Sequence, residues 1–324
     1  MLTPPTADAA TAQHRSRPWG CVMRDLLHEL VRTGRLLPVT AYQRFGYLCA
    51  AALMLSGAFH GLVYLVDGGG WEGPLSWRKP TVFGFSFGIT LFTLTWFLSF
   101  LRPSRWAGWA VVGILSVASL GEVFLISMQT WRGVPSHFNE STPFDSGVFS
   151  MMGLLVSILG VMTVLITVWS FVRLDAPRSL RLAIRLGLVL MLVSQSVGVQ
   201  MIAEGGNTYG TAGALKVPHA FTLHAAQILP ALAIVVLAGE FTERRRVEIV
   251  GLGALGYAGL IASTMLQAYA GEAPLDLTLA SAALAATGLV LLASSAVLAL
   301  RGLATRSRPP VGSPPDSVGP ALRR

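Results

Sequence analysis

Two histidines, His60 and His224, occupy similar positions in two long apolar segments of the chain. Each lies six residues from the polar end of its segment, which corresponds to about 9 Å at the helical rise of 1.5 Å per residue. Imidazoles at equal depth on neighbouring helices can bind the iron of a haem from both sides. The sequence therefore indicates His60 and His224 as candidate axial ligands of haem b, in a redox or sensing protein.

Small and polar residues surround both histidines. Ser56 and Gly57 precede His60, and Gln227 follows His224. Small residues allow a flat ring or another helix to approach closely. His219 is five residues from His224, so the two point about 140° apart on an ideal helix. We assign Ser56 and Gln227 to the pocket, and His219 to its rim, where it would meet a propionate or a substrate.

A metal centre is a second hypothesis. One set of residues resembles the pattern of membrane zinc hydrolases of the ceramidase and progestin-receptor type. The set is Ser56-x-x-x-His60, the acid Glu122, and the pair His219 and His224. The resemblance implies a zinc ion that activates a water molecule for attack. The later histidines have the spacing His-x4-His rather than His-x3-His, so a shared metal requires a distorted helical turn.

A third hypothesis is a transporter or binding protein for a small molecule or an anion. Arg78, Lys79 and Arg132 flank the polar loops, and such side chains bind anionic groups. Glu122 is an acid within an apolar segment, and an ionisable residue at such a place commonly faces a bundle interior or a wet cavity. Further pocket candidates in and before the second polar loop are Gln129, His137 and Asn139.

The elements that position these residues are membrane-spanning helices. Of the 324 residues, 53% are hydrophobic and 12% are charged, whereas soluble domains contain about 25% charged residues. A spanning helix needs roughly 20 mostly apolar residues. Eight segments meet this requirement: 45–66, 81–101, 106–129, 147–172, 182–203, 218–239, 247–270 and 277–300. The sequence predicts an all-α polytopic bundle whose partner is the lipid bilayer.

The distribution of basic residues predicts the orientation. Of the 24 Lys and Arg residues, 20 fall in the two tails and in the loops on their side of the bundle, and four fall on the opposite side. Basic loops stay in the cytoplasm, so both termini are predicted to be cytoplasmic and the histidine-rich loops extracytoplasmic. The net charge of +8 is explained by the basic residues that set this topology and that attract anionic lipid. Because no compact basic domain is present, nucleic-acid binding is not expected.

Three regions follow from these patterns. Residues 1–44 form a cytoplasmic tail, in which residues 21–37 have the apolar face of an amphipathic helix lying on the membrane surface. Residues 45–300 form the transmembrane domain. Residues 301–324 are rich in Pro, Gly, Ser and Arg, a composition typical of a disordered tail.

Several strings at the histidine-rich side resemble a group of uncharacterised bacterial multi-spanning membrane proteins. The strings are Ser-Trp-Arg-Lys-Pro ending at Pro80, Gln-Thr-Trp-Arg-Gly ending at Gly133, Ser-His-Phe-Asn ending at Asn139, and Val-Pro-His-Ala-Phe-Thr-Leu-His-Ala-Ala-Gln ending at Gln227. The resemblance implies a multi-pass protein of the bacterial inner membrane. It implies no particular reaction.

Overall fold

The computed structural model describes residues 39–304 and Arg24. The described residues form eight long helices, and every one of them is long and apolar enough to cross a membrane, which confirms the predicted number of spans and the all-α class. The helices are α1 (Ala41–Asp67), α2 (Arg78–Leu101), α3 (Arg105–Trp131), α4 (Pro143–Val172), α5 (Arg178–Ala203), α6 (Lys216–Ala238), α7 (Glu243–Tyr269) and α8 (Leu279–Ala304).

The outer boundaries of the helical domain differ slightly from the predicted ones. α1 begins at Ala41 rather than at residue 45, because Thr40 and Gln43 form a reciprocal capping box. α8 continues to Ala304. Apart from Arg24, the amphipathic helix predicted for residues 21–37 lies outside the described residues, as does the tail beyond residue 304.

Four helices are followed by a glycine with positive φ at one end of the bundle. A glycine with positive φ follows α1, α3, α5 and α7, at Gly68, Gly133, Gly205 and Gly271, with φ between 63° and 73°. Glycine adopts this conformation at little steric cost, and it commonly terminates helices. We call this end the site end; it comprises residues 68–77, 132–142, 204–215 and 270–278. We call the opposite end, with residues 102–104, 173–177 and 239–242, the arginine end.

Close backbone contacts join the helices into three tight pairs, α1 with α2, α5 with α6, and α7 with α8. A Cβ atom added to Gly84 would lie 2.6 Å from the backbone of Gly57 on α1. A Cβ added to Gly187 on α5 would lie 2.6 Å from Cα of Ala226 on α6. Small residues permit such approach, and dispersion contacts between closely packed helices stabilise a bundle in lipid, where the hydrophobic effect does not drive association.

The outer faces of the helices expose many large apolar side chains. α4 exposes Leu154, Leu165 and Phe171, and α8 exposes Leu289 and Val290. Exposed apolar faces of this extent are what a bilayer covers, in agreement with an integral membrane protein. Eight alternating helices place residues 39 and 304 at the arginine end. The assignment of that end to the cytoplasm rests on the distribution of basic residues.

Candidate functional site

A buried acid lies near the site end. Glu122 on α3 has no exposed surface, and neither of its carboxyl oxygens has a hydrogen-bond partner among the described residues. Nε2 of His137 lies 3.9 Å from Oε1 of Glu122, and Lys79 acts on both groups electrostatically. We call Lys79, Glu122 and His137 the acid site.

The distances within the acid site are too long for direct bonds. A separation of 3.9 Å exceeds the range of a hydrogen bond, and no ion-pair contact within 4.0 Å joins Lys79 to Glu122 in the part of the chain that the structure describes. A buried carboxyl without donors is costly when it is ionised. The acid site therefore contains a carboxyl group whose hydrogen-bonding capacity is unused.

His137 is a neutral member of this site. Its ring lies edge-on to the rings of Phe83 on α2 and Phe138, with centroid separations of 5.7 Å and 6.2 Å. Burial lowers the pKa of His137 to about 3, and the positive charge of Lys79 contributes in the same direction. At neutral pH the imidazole is therefore uncharged and does not neutralise Glu122. The only cation of the acid site is Lys79.

The loop that carries His137 is fixed by a second carboxyl group. Asp145, in the first turn of α4, is 2% exposed and accepts hydrogen bonds from Gln129 at 2.9 Å, Arg132 at 2.6 Å and Thr142 at 2.6 Å. This network joins the end of α3 to the start of α4. It holds the loop between them in place over the acid site.

Within the same loop the backbone is strained. Phe138 has a φ of 56°, which is uncommon for a residue other than glycine and costs of order 1–3 kcal/mol. Asn139 stabilises this bend by donating to the carbonyl oxygen of Pro135 at 3.0 Å and by accepting from the hydroxyl of Ser141 at 2.7 Å. Strained residues of this kind cluster at functional sites.

The predicted basic residues Arg78 and Arg132 already have acidic partners. Arg78 lies 3.4 Å from Glu72, and Lys216 at the start of α6 lies 3.2 Å from the same carboxylate. The hydrogen bond from Lys216 and the nearby charge of Arg78 lower the pKa of Glu72. Arg132 pairs with Asp145. Two of the three predicted anion-binding residues thus connect segments of the site end, and Lys79 is the exception.

His60 forms a contact of its own between α1 and α3. Its Nδ1 donates to the carbonyl oxygen of Ser56 at 2.8 Å, which leaves Nε2 to accept from the indole N–H of Trp131 at 3.1 Å. The ring also stacks against Trp77 with a centroid separation of 6.1 Å. Both nitrogens therefore have partners.

His219 and His224 face different helices. His219 donates from Nδ1 to the carbonyl oxygen of Ser194 on α5 at 2.8 Å. His224 lies 3.2 Å from the hydroxyl of Ser86 on α2 and 3.3 Å from Gln227, which in turn donates to Thr90. The two side chains therefore have separate partners on α5 and α2.

The haem ligation by His60 and His224 stays a prediction, and the structure shows that the two positions meet α2 at different depths. α2 packs against both α1 and α6, whereas α1 and α6 make at most marginal contact within the described residues. A Cβ on Gly61, beside His60, would meet Thr81 of α2, while His224 meets Ser86, five residues or about 7.5 Å deeper along that helix. The small residues near His60 allow α2 to approach α1 closely.

The four residues of the zinc hypothesis have separate partners in the structure. Residues 39–304 contain no group of three or more His, Cys, Asp or Glu side chains that could hold a metal ion. The four predicted ligands divide among three places: His60 contacts Trp131, Glu122 belongs to the acid site, and the two later histidines contact Ser194 and Ser86. The structure brings His137 to within 3.9 Å of Glu122, and Lys79 acts on both electrostatically.

Sequence reasoning did not select several residues that complete these contacts: Ser86, Trp131, Asp145 and Ser194. Asp145 has a local signal, because Thr142-Pro143 followed by an acid is typical of a helix start. Ser86 and Ser194 have none, since they lie 138 and 25 residues from the histidines that they contact.

The fold and the site define the class of the protein, an eight-helix integral membrane protein with an ionisable site near one end of the bundle. Comparison of the chain with protein-family models, curated proteins and solved structures gave no match. The function is therefore argued from the geometry alone.

Proposed function

We propose that this protein is a membrane binding protein or transporter for a small polar molecule, and that Glu122 and Lys79 are its ligand-binding groups. The observation that carries the proposal is the fully buried carboxyl of Glu122, which lacks any hydrogen-bond partner among the described residues. An ionisable residue inside a membrane commonly marks a substrate or ion pathway.

The chemistry of the acid site indicates which ligands it suits. Glu122 needs a hydrogen-bond donor, and Lys79 offers up to three N–H donors to an acceptor. Because the two charges lie more than 4.0 Å apart, one small molecule with a donor at one end and an anionic or acceptor group at the other satisfies both. A zwitterion such as an amino acid has this arrangement.

The position of His137 beside Glu122 supports the same proposal. His137 is neutral and lies 3.9 Å from Glu122, so a small inward shift of the ring would bring it within hydrogen-bonding distance when a ligand binds. Catalytic and binding contacts are often longer before the ligand arrives.

Ligand-induced stabilisation of the purified protein tests this proposal. Melting temperatures in detergent would be measured with three matched panels: amino acids, the amines that lack their carboxylate, and the carboxylic acids that lack their amine. We expect a shift with members of the amino-acid panel, and a much smaller one with either half-molecule.

Variants assign the effect to the acid site. Glu122→Gln and Lys79→Gln should each remove the shift, whereas Glu140→Gln, which changes an exposed acid of the neighbouring loop, should retain it. Uptake of the stabilising compound into proteoliposomes then distinguishes a transporter from a binding protein. The absence of any shift across the three panels, or a shift that persists in Glu122→Gln, contradicts the proposal.

A further inference from the structure

A groove lined by both charged and apolar side chains lies at the arginine end, between the end of α4 and the start of α5. It encloses about 320 Å³. Three arginines line it, Arg178, Arg181 and Arg185, and they share one face of α5 because they are three and four residues apart. This groove lies at the opposite end of the helices from the acid site, and no part of the proposed function uses it.

The three arginines of the groove have no acidic partner among the described residues. In residues 39–304, none of them forms an ion pair with a carboxylate. Other arginines at this end are paired: Arg102 with Asp175, and Arg246 with Glu243 at 3.4 Å. Three like charges on one helix face repel one another, so an anion in the groove would relieve an unfavourable arrangement.

Two of the guanidinium groups are held in position by backbone carbonyls. Arg185 donates to the carbonyl oxygens of Ser170 at 2.9 Å and of Phe171 at 3.2 Å, and its guanidinium lies 4.9 Å above the Phe171 ring. Arg181 donates to the carbonyl oxygen of Ala176 at 3.1 Å. The Nε–H of Arg181 is buried and has no acceptor among the described residues.

The rest of the groove is apolar. Leu182, Leu186 and Val189 continue along α5 from the arginines toward the middle of the helix, and Phe171 forms the opposite wall. Val189 is 40% exposed and Phe171 is 55% exposed. A ligand that fits has a negative head beside the arginines and an apolar chain that follows these side chains into the hydrocarbon.

We propose that this groove binds one anionic phospholipid. Its phosphate contacts the guanidinium groups of Arg178 and Arg181, and one acyl chain lies along Leu182, Leu186 and Val189. Guanidinium groups suit phosphate because they offer paired, planar donors, and basic pockets between transmembrane helices are known to bind anionic headgroups. A soluble anion would leave the apolar wall without a partner.

Native mass spectrometry of the detergent-purified chain tests the proposal, with added phosphatidylglycerol as the probe and phosphatidylcholine as the uncharged comparison. The double variant Arg178→Gln/Arg181→Gln removes two charges from the groove. Arg244→Gln/Arg245→Gln removes the same number from the start of α7, where both arginines pair with Glu248. Melting temperatures in detergent alone show whether each variant folds.

We expect the wild-type chain and the α7 variant to retain phosphatidylglycerol, and the groove variant to bind it about 30-fold more weakly, since each basic residue near an anionic headgroup contributes about 1 kcal/mol. Equal retention by all three proteins, or equal retention of phosphatidylcholine, overturns the proposal. Displacement of the lipid by millimolar inorganic phosphate, with the same stabilisation of the protein, would show that the groove binds a soluble anion instead. If the groove variant does not fold, the single variant Arg178→Gln, which alters an exposed residue without a side-chain hydrogen bond among those described, decides the outcome.

Discussion

Replacing Glu122 with Gln should leave the stability of the bundle nearly unchanged, whereas replacing Asp145 with Asn should clearly lower it. Both carboxyl groups are buried, at 0% and 2% exposure, and both substitutions keep the shape of the side chain. The two acids differ in their partners. Glu122 has none among the described residues, while Asp145 accepts from Gln129, Arg132 and Thr142.

The magnitude follows from the bonds that each variant loses. Glu122→Gln forfeits no hydrogen bond, and an interhelical hydrogen bond in a membrane averages about 0.6 kcal/mol, so the free energy of unfolding should change by less than about 1 kcal/mol. Asp145→Asn removes a charge-assisted bond to Arg132, weakens two others, and removes a negative charge from the first turn of α4, where the helix dipole favours it.

Unfolding in mixed micelles of dodecyl maltoside and sodium dodecyl sulfate, followed by resistance to proteolysis, measures both variants on one scale. The midpoint for Asp145→Asn should fall well below that of the wild-type protein, and the midpoint for Glu122→Gln should coincide with it. If Glu122→Gln unfolds as early as Asp145→Asn, Glu122 holds helices together, and the argument that its carboxyl is reserved for a ligand is refuted.

Three further predictions concern packing, pH and topology. Gly84→Ala should destabilise the bundle by about 1–3 kcal/mol, because its Cβ would lie 2.6 Å from the backbone of α1, whereas Gly153→Ala, which meets nothing within 4 Å, should be neutral or stabilising in the same unfolding assay. His137 stays neutral in the folded protein down to about pH 3, whereas in the unfolded chain it takes up a proton below about pH 6.5. The free energy of unfolding therefore falls as the pH is lowered from 6.5 toward 3, because protonation stabilises the unfolded chain. His137→Gln removes this group, so the fall in unfolding free energy between pH 7.5 and pH 5 should be about 1–2 kcal/mol smaller in the variant than in the wild-type protein. In a cysteine-free background, a cysteine in place of Asn207 should react with an impermeant reagent added to intact cells and one in place of Arg245 should not, and the reverse pattern would show that the site end faces the cytoplasm.

The sequence by itself was sufficient to predict the membrane class and the eight helices. These features depend on local properties: about 20 apolar residues in succession are enough to span a bilayer, and caps such as Thr40 and Thr142 act within one turn. The approximate level of the candidate site also followed from the sequence, because depth along a helix is a matter of counting residues.

Tertiary structure decided which candidate residues meet. Counting residues placed His60 and His224 at one depth, but α2 packs against both of their helices and meets the two positions at different depths. Conversely, Lys79, Glu122 and His137 lie on different segments, and only the packing of α2 against α3 and the bend at Phe138 bring them together.

The sequence also did not indicate which charged residues have partners. Glu122 lies on α3 and Arg132 directly follows that helix, yet Arg132 forms an ion pair with Asp145, whereas the carboxyl group of Glu122 has no hydrogen-bond partner in residues 39–304. Which charges remain available for a ligand depends on distances between helices, and the order of residues along the chain does not specify those distances.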